Sequence, residues 1–507
     1  MKLPAINRVT LFLLVVLGLA ALYGVAWLSK PVTIAAGSAP AAPRAIALNT
    51  SLRACAAPGT TGHGGAAGVA VLAAANASSG HVGSGQATVS RLSAAANSVP
   101  LVRLSTPGTL TTTPVTAAPT TQQGQSGQGA SSQPSSTGGV LIQAAGAMAQ
   151  GLDADQTTTA DGATLSCGAP ATDYWFSGPG QLYASTIELY LMNTDDQPSS
   201  VEVDISTDAG PLQTSSDTGI TVPPHGMIVQ SLAGLVRGSR ALTLHVRTSI
   251  GRVVAAVRES TKTSDAGQWL PPVQAPARRL VIPGMPTASG SRELYLAAPG
   301  GSDATVKLSV VTPNGSYQPT GANAIAVPAG SATRLELPSL SGVTGAAVLT
   351  SNVPVTAAFT VPGGPSGSPG VLVSAALPLQ QQGVLADAGP ASSSGSASLV
   401  LSATGRAARV RVAMGTSGLT AGSGGGTQVV SIPAGHSVTV KLTAPAGAAK
   451  SAPFGVVVTP LAGSGPVYAG RTLDGSGSTL LGVLPLVSAP TMAGLPAAQD
   501  SLLAVMP

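Results

Sequence analysis

Two short signatures recur three times along this chain, and the fixed distance between them constrains its fold more than any other feature. The first signature occupies residues 188–191 (ELYL), 293–296 (ELYL) and 398–401 (SLVL). The second occupies residues 222–224 (VPP), 327–330 (VPAG) and 432–435 (IPAG). The two signatures start 34 residues apart in every copy, and successive copies are offset by 105 residues. A spacing kept in register over three copies indicates an internal repeat.

Within each copy, apolar and polar residues alternate with the two-residue period of a strand that buries one face. Leu242, Leu244 and Val246 show this pattern, and the turn at residues 313–315 (PNG) is typical of a hairpin. Six or seven short strands in about 105 residues predict an all-β fold of tandem Ig-like antiparallel β-sandwiches. The paired cysteines of true immunoglobulin domains are missing from these copies, and a jelly roll is the alternative topology. The second signature is predicted to be a tight turn, in which Pro sets one φ angle and Gly adopts the strained one.

The composition agrees with strands and turns and excludes two classes of protein. The chain has 63 Gly and 41 Pro, whereas charged residues make up only 8%. Helical bundles need many more charged residues on their exposed faces. A nucleic-acid partner is not expected either, because no concentrated basic face with interleaved aromatic residues occurs.

The N-terminus predicts a membrane anchor. Residues 9–28 carry no charge, and a run of 20 residues is long enough to cross a bilayer. Lys2 and Arg8 precede this run, so residues 1–8 are expected in the cytoplasm and the bulk of the chain outside. The span is expected to be retained, with Trp27 and Lys30 at its end. Cleavage near residues 35–42, which would give a secreted protein, is the alternative.

The repeat divides the rest of the chain into a stalk, four sandwiches and a tail. Residues 140–145 resemble the strands at 253–257 and 355–359, which indicates a degenerate first copy. The predicted segments are the stalk 29–44, the degenerate sandwich 45–165 with a disordered insertion at 106–137, the sandwiches 173–287, 288–392 and 393–490, and the tail 491–507. We expect the four sandwiches to extend outward as a rod.

Cys55 and Cys167 are the only two cysteines. In an exported chain an even number of cysteines favours a disulfide, and two buried thiols are the alternative. The bridge would close a loop of about 112 residues around the first sandwich, which is worth on the order of 4 to 5 kcal/mol by chain entropy.

No sequence motif for catalysis, a cofactor or a metal is found. The chain lacks the nucleophile elbow, the metalloprotease helix and the phosphate-binding glycine loop. Asp153, Asp155 and Asp161 are spaced somewhat like a calcium loop but lack its central Gly and final Glu. We therefore expect no enzyme, no cofactor and no metal site.

Two clusters are candidate binding surfaces. Tyr174, Trp175 and Phe176 form an aromatic group that either binds a carbohydrate or protein partner or packs at the junction after Cys167. The densest basic cluster comprises Arg237, Arg240, Arg247, Arg252 and Arg258. It either contacts an anionic wall polymer or lipid, or is the solvated face of a strand.

Residues 167–180 (CGAPATDYWFSGPG), 222–224 (VPP) and 268–271 (QWLP) resemble an uncharacterised actinobacterial family of membrane-anchored secreted proteins, a domain of unknown function. The resemblance covers about residues 45–490, and the Ser/Thr/Gln-rich insertion departs from the family's pattern. It implies an N-terminal membrane segment and an exported Gly/Ala/Val-rich region with two cysteines, and it implies no activity.

These observations predict a non-enzymatic, membrane-anchored protein of the cell envelope that binds a wall polymer or an envelope protein. The alternative is an accessory or regulatory subunit of a polysaccharide-assembly or secretion complex. Because the repeated signatures are parts that every copy needs in order to fold, the function is expected in what differs between copies.

Overall fold

The computed structural model describes residues 8–28, 44–56, 66–75, 83–93, 99–116, 137–158, 162–212, 219–261, 264–362, 370–389, 395–419, 426–446, 452–475 and 480–495. The chain forms two compact units, and each is described by itself. The smaller unit combines Met1–Ile46 with Ala493–Pro507, and the larger unit is Ala47–Met492.

In its described residues, 8–28, 44–46 and 493–495, the smaller unit contains a helix and parts of two paired strands. Helix α1 (Arg8–Leu28) includes the uncharged run, and strand β1 (Arg44–Ala47) pairs with strand β35 (Met492–Leu495). The predicted tail therefore begins with a paired strand, whereas the predicted stalk lies outside the described residues except for Arg44. Among the helices that the structure describes, none combines the length and the hydropathy that crossing a bilayer requires.

The larger unit contains four β-sandwiches, which we number in chain order. The strands described in the first sandwich are β2 (Thr50–Ala56), β3 (Ala66–Ala73), β4 (Gly85–Ser93), β5 (Val102–Leu104), β6 (Thr111–Thr116), β7 (Thr137–Gly146), β8 (Leu152–Thr158) and β9 (Thr164–Ser166). Those described in the second are β10 (Asp173–Pro179), β11 (Ala184–Met192), β12 (Ser199–Thr207), β13 (Gly210–Leu212), β14 (Ile220–Val222), β15 (Met227–Ser231), β16 (Ala241–Ile250), β17 (Val254–Thr261) and β18 (Ser264–Leu270).

The third and fourth sandwiches repeat this arrangement. The third contains β19 (Ala277–Met285), β20 (Arg292–Ala297), β21 (Ala304–Thr312), β22 (Gly315–Tyr317), β23 (Ile325–Val327), β24 (Ala332–Leu337), β25 (Gly345–Val361) and β26 (Val371–Ser374). The fourth contains β27 (Gly383–Leu385), β28 (Ser396–Ala403), β29 (Ala408–Gly415), β30 (Gly426–Ile432), β31 (His436–Leu442), β32 (Gly455–Pro460), β33 (Val467–Asp474) and β34 (Leu480–Pro485). Short 3₁₀ helices form at Ala147–Ala149 and Pro338–Leu340.

Each sandwich has two sheets with the same strand order in all four copies. We call the sheet that contains the first strand the A sheet and the other the B sheet. The A sheets are β2-β7-β4-β5, β10-β16-β12 with β13 and β14, β19-β25-β21 with β22 and β23, and β27-β32-β29-β30. The B sheets are β6-β3-β8-β9, β15-β11-β17-β18, β24-β20-β25-β26 and β31-β28-β33-β34. In the third copy, the 17 residues of β25 run through both sheets and join them.

The predicted all-β fold of tandem antiparallel sandwiches is confirmed, and the strand order adds a detail. In an immunoglobulin domain the first strand pairs with the second. Here the first strand β2 pairs with β7, the sixth strand of its sandwich, and the second strand β3 pairs with β8, the seventh. The units therefore share the sandwich architecture of immunoglobulin domains but not their strand order.

One element departs from the predicted boundaries. Within the segment 106–137 that was predicted to be disordered, strand β6 (Thr111–Thr116) pairs with β3, and its Val115 is buried in the core. The expectation of disorder is wrong there, because a single apolar residue and backbone pairing are enough to hold a Thr-rich edge strand. Residues 117–136 lie outside the described residues.

The first signature connects neighbouring sandwiches through its alternation. On β11, Leu189 and Leu191 lie in the core of the second sandwich, whereas Tyr190 and Met192 pack into the core cluster of the first. On β20 of the third sandwich, Tyr295 likewise packs against Ala241 of the second. The outer face of each B sheet thus covers the A sheet of the preceding sandwich.

The fourth copy replaces Tyr with Val because its sheets approach more closely. Tyr190 and Tyr295 each lie beside an Ala on the neighbouring strand, but Val400 lies beside Gly470. A Cβ atom on Gly470 would lie 2.6 Å from the Cα of Gly284 in the third sandwich. The small residues Val400 and Gly470 therefore fit a junction at which the backbones of the third and fourth sandwiches are in close contact.

The fourth sandwich also contacts the first, so the four junctions form a closed cycle. Ala70 and Leu72 on the B sheet of the first sandwich pack against Val384, Ala386 and Val457 on the A sheet of the fourth. The expectation of an extended rod is therefore wrong. A linear array would leave one apolar B face and one apolar A face uncovered at its ends, whereas a cycle covers both.

Candidate functional site

The A sheet of the second sandwich carries an aligned polar array on its outer face. Antiparallel pairing places Trp175, His245 and Asp204 side by side across β10, β16 and β12. The next row outward on the same face is Asp173, Arg247 and Glu202. Since alternate residues of a strand point to the same side, the two rows form one surface, which we call the His245 array.

Stacking and ion pairs fix the side chains of this array. The rings of Trp175 and His245 are parallel within 9°, with centroids 3.8 Å apart. The His245 Nε2 atom lies 3.3 Å from Asp173 Oδ2, and its Nδ1 atom lies 3.4 Å from Asp204 Oδ2. Arg247 pairs with Glu202 at 2.9 Å and with Asp204 at 3.3 Å.

The first row of the array, Trp175, His245 and Asp204, lines a groove of about 520 Å³ at the junction with the third sandwich. Its far wall consists of Pro299, Gly300 and Gly301 together with Ala329 and Gly330. The last two belong to the second signature, which forms the predicted turn: Gly330 and Gly435 have φ angles of 67° and 73°. The second-signature turn of the third sandwich therefore forms one wall of a groove on the second sandwich.

In the second sandwich the same turn position is occupied by His225, at a φ angle of 48°. His225 is the one non-glycine residue with positive φ in the described part of the chain. Its ring nitrogen lies 2.7 Å from Asp196 Oδ1, a contact that offsets part of the backbone strain.

The predicted aromatic cluster is divided by the strand on which it lies. Phe176 is fully buried in the core of the second sandwich, and the half-buried Tyr174 donates its hydroxyl to the carbonyl of Ala169. Trp175 points to the opposite face and is 9% exposed, with His245 stacked against it. The three residues therefore do not form an open aromatic platform, and only Tyr174 packs at the predicted junction after Cys167.

The predicted basic cluster is not brought together either. Arg237 and Arg240 are exposed before the start of β16, whereas Arg247 lies seven residues beyond Arg240. At about 3.3 Å per residue, a strand separates these positions by roughly 23 Å. Arg258 instead stacks on Trp269 at 5.7 Å, and Arg252 pairs with Asp195.

The His245 array lacks the geometry of a catalytic base. In a catalytic triad one imidazole nitrogen faces a carboxylate and the other faces the nucleophile. Both ring nitrogens of His245 face carboxylates, so neither is placed to take a proton from Ser206 or Thr243 in the same groove. The Thr243 hydroxyl is 3.0 Å from the Ser177 hydroxyl. The arrangement is suited to recognising a ligand by charge and hydrogen bonds.

The acidic pair once compared with a calcium loop lies at the junction of the first and fourth sandwiches. The Asp155 carboxylate accepts hydrogen bonds from the Ser166 hydroxyl (2.7 Å) and from the backbone N–H groups of Ala386 (3.0 Å) and Asp387 (3.1 Å). Asp153 also accepts from the Ala386 N–H, at 3.0 Å. Burial raises the pKa of both carboxyls, that of Asp153 well above its ordinary value.

A buried cation, Arg471, lies close to Asp155. Arg471 is fully buried, and its Nη1 donates to the carbonyl of Asp387 at 3.0 Å. Among the described residues, no group of three or more His, Cys, Asp or Glu side chains could hold a metal ion, and Asp161 lies outside those residues. Asp153 and Asp155 thus act in packing. Both lie on the same face of β8, two residues apart, a spacing that the sequence does show.

The first signature contains a polar pair that sequence reasoning missed. The Tyr190 hydroxyl donates to Glu188 at 2.8 Å, and the Tyr295 hydroxyl donates to Glu293 in the same way. Arg334 also donates to Glu293, and this holds the pKa of the Glu293 carboxyl below its usual range despite partial burial. The two-residue spacing of Glu and Tyr puts both side chains on the junction face.

The predicted disulfide is confirmed. Cys55 on β2 and Cys167 after β9 are bonded, with their Cα atoms 4.6 Å apart. Beside it, Ala54 and Gly168 exchange two backbone hydrogen bonds of 2.9 and 3.0 Å. The bridge therefore fastens the start of the connection between the first two sandwiches to the edge of the first.

The comparison with protein families agrees with the resemblance seen in the sequence. The profile of a family of unknown function, DUF5719, matches residues 121–443, which is more than half of the chain. The chain belongs to this family. No curated protein matches the sequence.

The DUF5719 match includes the whole His245 array and its groove, since these lie between Asp173 and Gly330. It ends near the close of β31 and begins before β7, so β2 and Cys55 lie outside it. The family segment thus covers two complete sandwiches and parts of the first and fourth.

Proposed function

We propose that the chain is a non-enzymatic protein of the cell envelope, anchored by its N-terminal helix, whose four sandwiches form a scaffold that binds an envelope partner. The observation that carries this proposal is the His245 array. It is a charged, partly open surface of fixed geometry in which both imidazole nitrogens are held by carboxylates. Such a surface can recognise a partner but lacks a free base.

The proposed location rests on the sequence and the disulfide. The uncharged run 9–28 follows Lys2 and Arg8, which favours a cytoplasmic N-terminus and an extracytoplasmic bulk. The disulfide between Cys55 and Cys167 supports an oxidising compartment, because such bonds are rare in the cytosol.

Membrane fractionation of the full chain tests the location. The anchored protein stays with the membrane after a high-salt or carbonate wash and is digested by protease added to intact cells from outside. Recovery of the chain in the cytosolic fraction, or in the medium without residues 1–28, would contradict the proposed anchor.

Site-specific photo-cross-linking tests the partner surface. A photoreactive residue in place of Asp204, which lies in the groove, is expected to give a defined cross-linked product. The matched control places the same residue at Leu235, which is 50% exposed on the second sandwich away from the groove. Identical products from the two positions would contradict a specific surface.

The identity of the product separates two roles. A wall polymer or a wall-associated protein supports the scaffold. An integral membrane protein captured in a fixed ratio supports the alternative, an accessory subunit of a polysaccharide-assembly or secretion complex. The exposed ion-pair row of Asp173, Arg247 and Glu202 favours a protein partner at this face, since charge pairs give specificity at interface rims.

A further inference from the structure

The A-sheet edge that lies opposite the first strand is longer in the fourth sandwich than in the other three. In the first sandwich this edge is β5, which has three residues. In the second and third it consists of two described strands of three residues each. In the fourth, β30 runs without interruption over seven residues and pairs with β29 along its whole length. Since the copies share one fold, this difference is a candidate for function.

The backbone of β30 directs hydrogen-bonding groups away from its sheet. On β29 the carbonyl of Arg409 accepts a hydrogen bond of 2.9 Å from the residue that follows β32, so Arg409 bonds toward β32. Alternate residues of a strand bond to opposite sides, which directs Val410 toward β30 and its partner Val430 back toward β29. Val429 and Ser431 therefore point their N–H and C=O groups outward. No backbone group in the described part of the chain bonds to them.

The features that usually block an edge strand are missing from β30. Edge strands of natural proteins carry charged residues or Pro, or are covered, because an open edge pairs with other chains. The sequence of β30 is GTQVVSI, without charge or Pro, and all of its residues except Val430 and Ile432 are exposed. The strand is therefore open to strand addition, in which an extended peptide binds through main-chain hydrogen bonds.

The charge beside this edge is positive. Arg409 and Arg411 lie opposite the two outward-bonding residues of β30 and share the outer face of the sheet with them. Neither guanidinium has an ion-pair or hydrogen-bond partner among the described residues. The sequence contains no Asp or Glu between Asp387, which bonds to the first sandwich, and Asp474, which lies on the B sheet. An acidic segment is therefore favoured over a second copy of β30, which would bring like charges together.

We propose that β30 binds an extended acidic segment of a partner protein, which adds to the four-stranded A sheet of the fourth sandwich as a fifth strand. Main-chain hydrogen bonds to Val429 and Ser431 hold the segment. The added strand lies about 10 Å from β29, a distance that Arg411 and a Glu side chain span together. This surface is on a different sandwich from the His245 array and goes beyond the proposed function.

Fluorescence polarisation with the full chain in detergent micelles tests the ligand class. The probe is a labelled peptide of sequence Thr-Glu-Val-Glu-Val-Glu-Thr, in which an extended backbone places every Glu on one face. The comparison peptide has Lys in place of each Glu. The acidic peptide is expected to bind about tenfold more tightly in 50 mM NaCl, and 500 mM NaCl should remove most of this difference, because salt screens exposed charges.

Val429 provides the test of main-chain pairing. Val429→Pro removes the outward N–H, and an edge strand tolerates Pro where the lost donor faces solvent. Val429→Ala is the matched control, because it shortens the same side chain but keeps the N–H. The Pro variant is expected to bind the acidic peptide about tenfold more weakly than the Ala variant, since it lacks one hydrogen bond and its ring obstructs pairing.

A second comparison tests the charge without altering β30. The double variant Arg409→Gln with Arg411→Gln is expected to weaken binding of the acidic peptide by roughly fivefold, as the loss of two exposed ion pairs implies. The control is Lys307→Gln with Lys441→Gln, which removes the same charge from exposed strand residues elsewhere. If Val429→Pro does not fold, as its melting curve would show, this comparison decides alone.

Three results overturn the proposal: no saturable binding of the acidic peptide at millimolar concentration, equal affinity in the Pro and Ala variants of Val429, or equal affinity in the two double variants. Self-association of the parent that is lost in Val429→Pro would also overturn it, because the edge would then bind a second copy of the chain. None of these results bears on the membrane fractionation or on cross-linking from Asp204. Failure of the edge site and failure of the proposed function are therefore distinguishable.

Discussion

The carboxylate of Asp155 accepts a hydrogen bond of 3.0 Å from the backbone N–H of Ala386, a residue 231 positions further along the chain. This contact closes the cycle, because Asp155 lies on β8 of the first sandwich and Ala386 follows β27 of the fourth. Apolar packing of Leu72 against Val384 surrounds it. The junction between the first and fourth sandwiches is the last that can form as the chain is synthesised, and the buried carboxylates of Asp153 and Asp155 contribute to it.

Substitution of Asp155 should open that junction. Asp155→Ala is expected to lower the free energy of unfolding by about 2–4 kcal/mol, because it leaves the N–H of Asp387 and the hydroxyl of Ser166 without their acceptor and removes a carboxylate close to the buried Arg471 cation. Asp155→Asn should cost less than half of that, since burial already raises the pKa of this carboxyl and an amide resembles its neutral form. Urea unfolding measures both variants, and equal losses would argue against the hydrogen-bonding role.

Glu259 should make stability depend on pH. Burial raises the pKa of its carboxyl from 4.5 to about 8, while Gln268 donates to it. Because the unfolded chain releases this proton near pH 4.5 and the folded chain only near 8, stability falls as the pH rises through that window. The full effect is on the order of 5 kcal/mol.

The matched variant for this prediction is Glu259→Gln, which is neutral at every pH. Unfolding free energies at pH 5 and pH 8 should differ less in the variant than in the parent. Asp153 and Asp155 shift stability in the same direction in both proteins, so the difference between the two slopes isolates Glu259. If the unfolding free energy depends on pH equally steeply in the parent and in Glu259→Gln, Glu259 is not the group responsible.

Tyr295 should contribute mainly through packing between sandwiches. Tyr295→Ala is expected to cost about 3–5 kcal/mol, as for other buried aromatic side chains, since the ring lies against Ala241 at the junction. Tyr295→Phe removes only the hydrogen bond to Glu293 and should cost about 1 kcal/mol. Tyr317, which is 41% exposed on the same sandwich, provides the control substitution to Ala.

Loss of the disulfide should destabilise the first sandwich. The bridge spans 112 residues, and the chain-entropy relation gives roughly 4–5 kcal/mol for a loop of that length. The double variant Cys55→Ser with Cys167→Ser should therefore melt earlier and expose β2 and β7 to hydrogen exchange before the other sandwiches. Uniform exchange across all four sandwiches would contradict a local role.

Much of the fold could be predicted from local sequence patterns, because strand alternation and turn preferences depend on residues only a few positions apart. The sandwich repeat and the turn at Gly330 were predicted in this way, whereas the pairing of Cys55 with Cys167 was predicted from the even number of cysteines in an exported chain. Strand β6 was missed because its sequence of Thr and Pro has almost no alternation, and pairing with β3 decides its structure.

The candidate site was harder to predict. Trp175 and Arg247 belong to the clusters predicted from the sequence, but Asp204 and His245 join them only through strand pairing, in which His245 lies beside partners 41 and 70 residues away.

The sequence by itself determined the repeated unit, because which residues alternate along a strand is a property of the chain. The tertiary structure decided how the units associate. The residues that each B sheet turns toward a junction can be recognised in the sequence, because they alternate with core leucines, as Tyr190 does. The sequence around Ala70 and Leu72, however, does not indicate that their partner is the fourth sandwich. Closure of the cycle depends on the geometry of all four junctions together, and only the folded chain fixes that geometry.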